Sequence, residues 1–267
     1  MDKNSQSKTS QSNTPSRNDS PFFVGYLPMP SSLRWLYWPL GLALVLACGY
    51  AGFSVARHQA HTHPSYWSTA ATTTYHGILT RAPYAVLHRP DASHPLGVES
   101  VMLVRHGKHA ADLPARFEGQ AVAVSGNVIA RGGWRMLEIS GADALEPSAR
   151  VAPGALAARL DAKPLGAVAL RGEIADSKCF LGVMKPGAGR IHKACAEVCL
   201  RGGVPPMLIA QDAQQRRFGY LLVGADGASA STRLAPFAAE LVEVRGQLHQ
   251  RGDLLYITLD EDGVERL

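Results

Sequence analysis

The chain has 267 residues, of which 46% are hydrophobic and 18% are charged, and its formal net charge is +5. This composition excludes a wholly disordered, collagen-like or small disulfide-stapled protein. The positive charge is weak and is spread along the sequence without a block of like charges, so the sequence predicts no nucleic-acid partner.

The N-terminal part of the sequence predicts a tail followed by a membrane anchor. Residues 1–34 are rich in Ser, Asn, Gln and Pro, which predicts a disordered cytoplasmic tail. Residues 35–56 contain no charged side chain and are long enough for one transmembrane helix. More basic residues precede this segment than directly follow it, which favours a cytoplasmic N-terminus. We therefore expect a single-pass protein of the bacterial inner membrane whose bulk is periplasmic and follows a linker at 57–69.

The remainder of the chain contains an internal repeat. The segment FEGQAVAVSGNVIARGGWRMLEIS, which starts at Phe117, matches FAAELVEVRGQLHQRGDLLYITLD, which starts at Phe237. Each copy has two alternating apolar segments around a Gly-containing turn, a pattern typical of a β-hairpin. Further strands are predicted upstream in both copies, including 73–79 and 167–174.

The order of these elements is strand, two more strands, short helix and closing hairpin, which is the order of the OB-fold. The predicted fold class is therefore mainly β, with two OB-like small β-barrels in tandem after one N-terminal transmembrane helix. The predicted boundaries are 70–148 for the first barrel, 149–164 for a linker and 165–267 for the second barrel.

The second copy carries an insertion at 177–205 that the first copy lacks. Three of the four cysteines lie in this insertion, and the fourth, Cys48, lies in the apolar N-terminal segment. Long additions to compact domains are more often functional than structural. The insertion is therefore where we expect the chemistry of the protein.

The spacing of cysteine and histidine in the insertion predicts a metal site. The segment IHKACAEVCL has good helix formers, and at about 100° per residue His192, Cys195 and Cys199 share one helical face. Cys179 follows the first strand and can fold over that face. Three thiolates and an imidazole suit tetrahedral zinc. Copper(I) would use fewer ligands from the same set. The predicted metal ligands are thus Cys179, His192, Cys195 and Cys199.

Two neighbours of these ligands are predicted to support them. Asp176 is placed to orient a ligand, and the positive charge of Lys193 is expected to favour the thiolates. No metalloprotease motif, hydrolase nucleophile motif or dinucleotide fingerprint is present in the sequence, so an enzyme is not predicted. A metal-binding or assembly protein is the first hypothesis.

Two other interpretations of the same cysteines stay open from the sequence. Cys179 can form a disulfide with Cys195 or Cys199, which leaves one odd thiol in an oxidising compartment. The protein would then be a disulfide-stapled interaction scaffold without site chemistry. Alternatively, exchange among the three thiols would make it a periplasmic thiol-redox protein.

The insertion also resembles a segment of uncharacterised bacterial membrane-anchored envelope proteins. In these proteins an Asp-x-x-Cys strand end is followed by His-x-x-Cys-Ala-x-x-Cys and a Gly-x-Pro turn. The matching positions are Asp176, Cys179, His192, Cys195, Ala196, Cys199, Gly203 and Pro205. The resemblance implies an envelope setting, with another envelope protein as the expected partner, and it implies no particular activity.

Overall fold

The chain consists of an N-terminal apolar helix and a separate compact β unit. The computed structural model describes residues 31–59, 63–152, 154, 156–212 and 216–267, and it divides the chain into units 1–60 and 61–267. In the first unit, a 3₁₀ turn at Ser31–Leu33 precedes helix α1, Arg34–Gln59. Its span Trp35–Arg57 has a mean hydropathy of 1.7, so its length and composition suffice to cross a bilayer. The apolar helix is therefore confirmed, whereas the predicted tail lies outside the described residues up to residue 30.

The compact unit begins with an eight-stranded sheet, which we call the first sheet. Among its strands, β2 pairs with β3 and β6, β3 with β4, β4 with β7, and β6 with β7, so these pairings form a closed circuit. The short strands β1 and β8 add to β6, and β5 adds to β4. The strands are β1 (Ser65–Trp67), β2 (Thr73–Thr80), β3 (Val86–Pro90), β4 (Val98–Arg105), β5 (His109–Ala110), β6 (Ala121–Arg131), β7 (Trp134–Ile139) and β8 (Leu145–Pro147).

The second part of the unit is a closed five-stranded barrel, which we call the barrel. Its strands pair in the order β10-β11-β13-β12-β9 and then close. They are β9 (Lys163–Asp176), β10 (Pro206–Gln211), β11 (Arg217–Val223), β12 (Leu241–Arg251) and β13 (Leu254–Arg266). The helices near these strands are α2 (Ala157–Leu160), α3 (Lys193–Arg201) and α4 (Ser231–Leu234). The short turns are 3₁₀ at Ala115–Phe117, Ala142–Ala144, Arg190–His192 and Ala235–Phe237, and π-helical at Cys179–Val183.

The two sequence copies have the same order of strand pairing. In both, four pairings are antiparallel, and the one between the third and the last strand, β4 with β7 and β11 with β13, is parallel. The closing hairpins turn at Gly132 (φ 57°) and Gly252 (φ 60°), where a left-handed backbone favours glycine. The mainly β class is therefore confirmed, while the OB-like assignment of the two halves stays a prediction from element order.

One strand lies in the predicted linker at 57–69. Strand β1, within residues 57–69, pairs with β6 through Tyr66 and Ala130. A three-residue strand has too short a pattern to be recognised locally, and here the free edge of β6 decides its conformation.

The first sheet and the barrel share one hydrophobic cluster, and each also has a cluster of its own. Met102 and Ile129 of the sheet pack in the same buried cluster as Met207 and Leu221 of the barrel. The Tyr84 hydroxyl adds a polar link, because it donates to the Leu222 carbonyl at 2.6 Å and accepts from the Ala230 N–H at 3.0 Å. The two halves are thus parts of one packed body.

A buried histidine lies at the junction of the two halves. His88 is fully buried, and its ring nitrogens contact the Thr80 hydroxyl at 3.0 Å and the Ser100 hydroxyl at 2.8 Å. Burial, with a smaller contribution from the charge of Arg251, lowers the pKa of His88 to about 4. The imidazole is therefore neutral near pH 7.

This histidine makes folding stability depend on pH. The pKa of His88 is about 4 in the folded state and about 6.5 when unfolded, so its contribution is present above pH 6.5 and is lost as the pH falls toward 4. The full loss is about 3 kcal/mol. Urea unfolding of the full chain in detergent at pH 7.5, 5.5 and 4 measures it. The loss is expected to shrink in His88→Gln and to persist in His109→Gln, which changes an exposed histidine. Equal pH dependence in both variants would contradict this account.

Candidate metal site

The candidate site is built on the connection between β9 and β10, residues 177–205. Strand β9 delivers Asp176 at its end, and the π-helical turn places Cys179 directly after it. Helix α3 then ends at two glycines, because the backbone turns to φ 87° at Gly203 and a Cβ at Gly202 would overlap the Lys108 carbonyl. Glycine at both positions allows the helix to end against the first sheet.

The three cysteines of the insertion lie together as free thiols. The Cys179 sulfur is 3.9 Å from the Cys195 sulfur and 4.0 Å from the Cys199 sulfur. Cys179 and Cys199 are buried and Cys195 is half-buried, while Cys48 in α1 is also a free thiol. A disulfide bond is about 2.05 Å long, so no two of these sulfurs are bonded.

Two groups of potential ligands share Cys179. The ligand atoms of Cys179, His192 and Cys195 all lie within 4.8 Å of one another. The same holds for those of Asp176, Cys179 and Cys199. The four predicted ligands thus fall into two overlapping groups around Cys179, and the second group contains the Asp176 carboxylate instead of His192.

Asp176 holds two of the predicted ligands in position. One of its oxygens accepts the Cys179 N–H at 2.8 Å, and the other lies 3.0 Å from Nε2 of His192. Asp176 is completely buried, and His192 is buried as well. The carboxylate therefore fixes both the backbone of one ligand and the ring of another.

The lysine at the thiols differs from the one that the sequence predicted. Lys193 points away from them and pairs with Glu240. The prediction was wrong because, at about 100° per residue, Lys193 lies about 200° from Cys195 around the helix. Lys108 of the first sheet takes this place, with its ammonium 3.2 Å from the Cys195 sulfur. No local sequence signal could have placed Lys108 at the thiols, because Lys108 belongs to the first sheet and the cysteines belong to the barrel half.

The thiols have unequal acidities. The hydrogen bond between Cys179 and Cys199 raises the pKa of Cys179, and burial adds to this rise. The same hydrogen bond lowers the pKa of Cys199, with a further contribution from the charge of Lys108. Of this pair, Cys199 is therefore the more acidic thiol, and thiolate is the form that binds metals and attacks disulfides.

A second lysine fastens the site to the first sheet. Lys178 is only 2% exposed, and its ammonium donates to the carbonyls of Arg105 at 2.8 Å and Gly107 at 2.6 Å. It also forms an ion pair with buried Glu138 at 2.6 Å. Because Lys108 follows Gly107 in the same turn, this cluster also positions the lysine that contacts the thiols.

Comparison with known proteins does not identify the protein or this site. The chain matches no protein-family model, no curated protein and no solved structure.

Substitution of Lys178 tests the contact between the insertion and the first sheet. Lys178→Met leaves the buried Glu138 carboxylate with the exposed His106 imidazole, at 3.4 Å, in place of a buried ammonium, so the free energy of unfolding is expected to fall by about 3–5 kcal/mol. The matched control is Arg171→Met, which breaks an exposed pair with Glu243 and should cost less than about 1 kcal/mol. Urea unfolding of the full chain in detergent measures both values.

The double variant Lys178→Met, Glu138→Leu separates the cost of a stranded charge from other effects. It is expected to regain part of the lost stability, because replacing both buried charges by apolar groups removes the stranded carboxylate. Equal costs for Lys178→Met and Arg171→Met would contradict the assignment.

Proposed function

We propose that the protein is a membrane-anchored metal-binding protein of the bacterial cell envelope, with a transition metal held by Cys179, His192, Cys195 and Cys199. The observation that carries the proposal is the spacing of the sulfurs. In a tetrahedral site with zinc–sulfur bonds of about 2.3 Å, two sulfurs are about 3.8 Å apart. The distances of 3.9 and 4.0 Å from Cys179 to its two neighbours fit that spacing.

The chemistry of the ligands selects the kind of metal. Thiolates and imidazole favour zinc or copper(I) over hard cations such as magnesium and calcium. Nε2 of His192 already contacts Asp176, so Nδ1 is the nitrogen that would bind the metal. A carboxylate behind a histidine ligand is a common arrangement in zinc sites, since it fixes the orientation of the ring.

A binding or assembly role fits this ligand set better than catalysis. Four protein ligands fill a tetrahedral shell and leave no position for a substrate, as in structural zinc sites. Buried Cys179 and Cys199 are consistent with such a closed site.

The proposed setting follows from the N-terminal helix and from the sequence. Helix α1 would anchor the protein in the inner membrane, and the basic residues before it favour a cytoplasmic N-terminus. The two halves of the β unit, which we propose to be OB-like barrels, would then lie in the periplasm. Another envelope protein is the expected partner there.

Metal content tests the proposal directly. Full-length protein purified in detergent without chelator or metal-affinity chromatography is expected to contain about one zinc or copper per chain by elemental analysis. Cys199→Ser should lower this content severalfold, because the site loses a buried ligand. The matched control is Cys48→Ser, which removes the cysteine of α1 and should leave the metal content unchanged.

A thiol count on the same samples separates metal from disulfide. After denaturation with a chelator, the metal-bound protein should show four titratable thiols, and protein with one disulfide should show two. Metal well below one per chain together with two thiols would contradict the proposal.

Thiol–disulfide exchange is a second candidate function, and one observation favours it. The Cys179 sulfur lies almost equally far from the sulfurs of Cys195 and Cys199. The hydrogen bond between Cys179 and Cys199 is the main cause of the lowered pKa of Cys199. In such an exchange, one thiolate of the pair would attack a disulfide of the partner protein and release one partner thiol, which leaves a mixed disulfide. The other thiolate would then attack the mixed disulfide, which joins Cys179 to its neighbour and releases the second partner thiol.

Alkylation of the native protein tests the exchange function. In the Cys48→Ser background, iodoacetamide is expected to modify Cys195 before the other two cysteines, because only Cys195 is half-buried. Mass spectrometry of oxidised and reduced samples locates the modified residue. Complete protection of all three cysteines in both samples would exclude a redox role.

A further inference from the structure

A cavity of about 350 Å³ lies between the first sheet and the barrel. Arg131 and Trp134, at the β6–β7 hairpin, form one side of it. The barrel half supplies further walls, which include Phe180, Arg217 and Phe218. A volume of this size is typical of sites for small molecules, and aromatic walls are typical of their lining.

Two arginines that line this cavity have no acidic partner. Arg131 lies with its guanidinium carbon 4.8 Å from the centre of the Phe180 ring, and its buried Nε has no hydrogen-bond partner. Burial lowers the pKa of Arg131, and repulsion from Arg217, which lines the same cavity, adds to this effect. In the part of the chain that the structure describes, neither arginine forms an ion pair.

One carboxylate, Asp253, lines the cavity, and its contacts are to two other lining residues. Asp253 accepts the Ser100 N–H at 2.8 Å through one oxygen, and its other oxygen faces Nε2 of His94 at 3.9 Å. Asp253 forms no ion pair with Arg131 or Arg217 among the described residues, so the lining carries two arginines and one carboxylate. A buried donor without a partner is uncommon in folded proteins and calls for an explanation.

The repeat provides an internal comparison. Arg251 occupies the position in the second copy that Arg131 occupies in the first, and its Nε is also buried without a partner. It lines a smaller cavity of about 170 Å³, where the other ionisable base is the neutral His88. Two cations and several aromatic rings therefore meet in the larger cavity and not in its counterpart.

We propose that the larger cavity binds a small aromatic carboxylate. Its carboxylate group would accept hydrogen bonds from Arg131 and Arg217, since guanidinium groups match carboxylates in charge and geometry. Its ring would pack against Trp134, Phe180 and Phe218. The cavity volume lies in the range of sites that hold small molecules, which suits a one- or two-ring compound. This site goes beyond the proposed metal function and does not depend on it.

Titration with 2-naphthoate tests the site, with the neutral 2-naphthamide as the matched ligand. Isothermal calorimetry on the full chain in detergent is expected to show saturable binding of one naphthoate per chain. The amide should bind at least about tenfold more weakly, because it lacks the charge that the arginines recognise. Equal affinity for both compounds, or no saturable binding of naphthoate, would overturn the proposal.

Substitutions at the arginines locate the binding. Arg131→Gln and Arg217→Gln are each expected to weaken naphthoate binding about tenfold to a hundredfold. Arg217 is exposed, so its substitution does not endanger folding. Arg171→Gln is the matched control, because it removes the same charge from a surface pair on β9 and should leave the affinity unchanged. Unchanged affinity in Arg217→Gln would overturn the assignment.

Metal content distinguishes failure of the proposed carboxylate site from failure of the proposed metal function. Arg217→Gln should keep the metal content of the parent protein, since Arg217 contacts none of the predicted ligands. Lost binding with unchanged metal content supports a separate ligand site. Loss of metal in the same variant would contradict the independence of the two sites.

Discussion

The ammonium group of Lys178 is buried where the barrel meets the first sheet, and the candidate metal site depends on how that charge is satisfied. Two backbone carbonyls and the Glu138 carboxylate surround it, all from the first sheet. A charge removed from water in this way is tolerated only when all its partners are in place. The two halves must therefore dock in one register, and that register brings Lys108 to the thiols.

The first sheet is consequently part of the site, although every predicted ligand comes from the barrel half. The Ala110 N–H donates to the Gly202 carbonyl at 2.9 Å, directly after the helix that carries two of the cysteines. A side chain at Gly202 would prevent this approach. The same junction between the halves forms the cavity with the two arginines. Both candidate sites thus arise where the two copies of the repeat meet.

The repeat supplies a common frame, and its departures from symmetry mark the functional features. Gly126 and Gly246 occupy equivalent positions, and at both a Cβ would come too close to a carbonyl of the neighbouring strand. The turns of both closing hairpins also begin with an arginine, Arg131 or Arg251, whose buried Nε has no hydrogen-bond partner among the described residues. By contrast, the insertion with the cysteines occurs in the second copy alone. Because the frame is shared, the candidate metal site is explained by this insertion rather than by the barrel.

Much of the architecture follows from local patterns. The alternation of apolar residues predicts the long strands and both closing hairpins, since a strand with one buried face has a period of two. The uncharged N-terminal segment predicts α1. Helical spacing predicts that Cys195 and Cys199 share a face, and the structure brings both near Cys179. These are properties of a single segment and its neighbours along the chain.

The remaining features were decided by tertiary structure. Spacing alone favoured a metal site but left a disulfide open, because a bond of about 2 Å and a contact of about 4 Å are both compatible with it. The structure holds the three cysteines of the insertion as free thiols. Lys193 was expected at the thiols from its proximity in sequence, but Lys108 is there. Arg131 and Arg217 likewise meet only because two separate halves pack together. The sequence by itself thus determined the elements and the predicted ligands within one segment. Only the packing of the two halves decided which charges surround them, since those charges come from residues far apart in the chain.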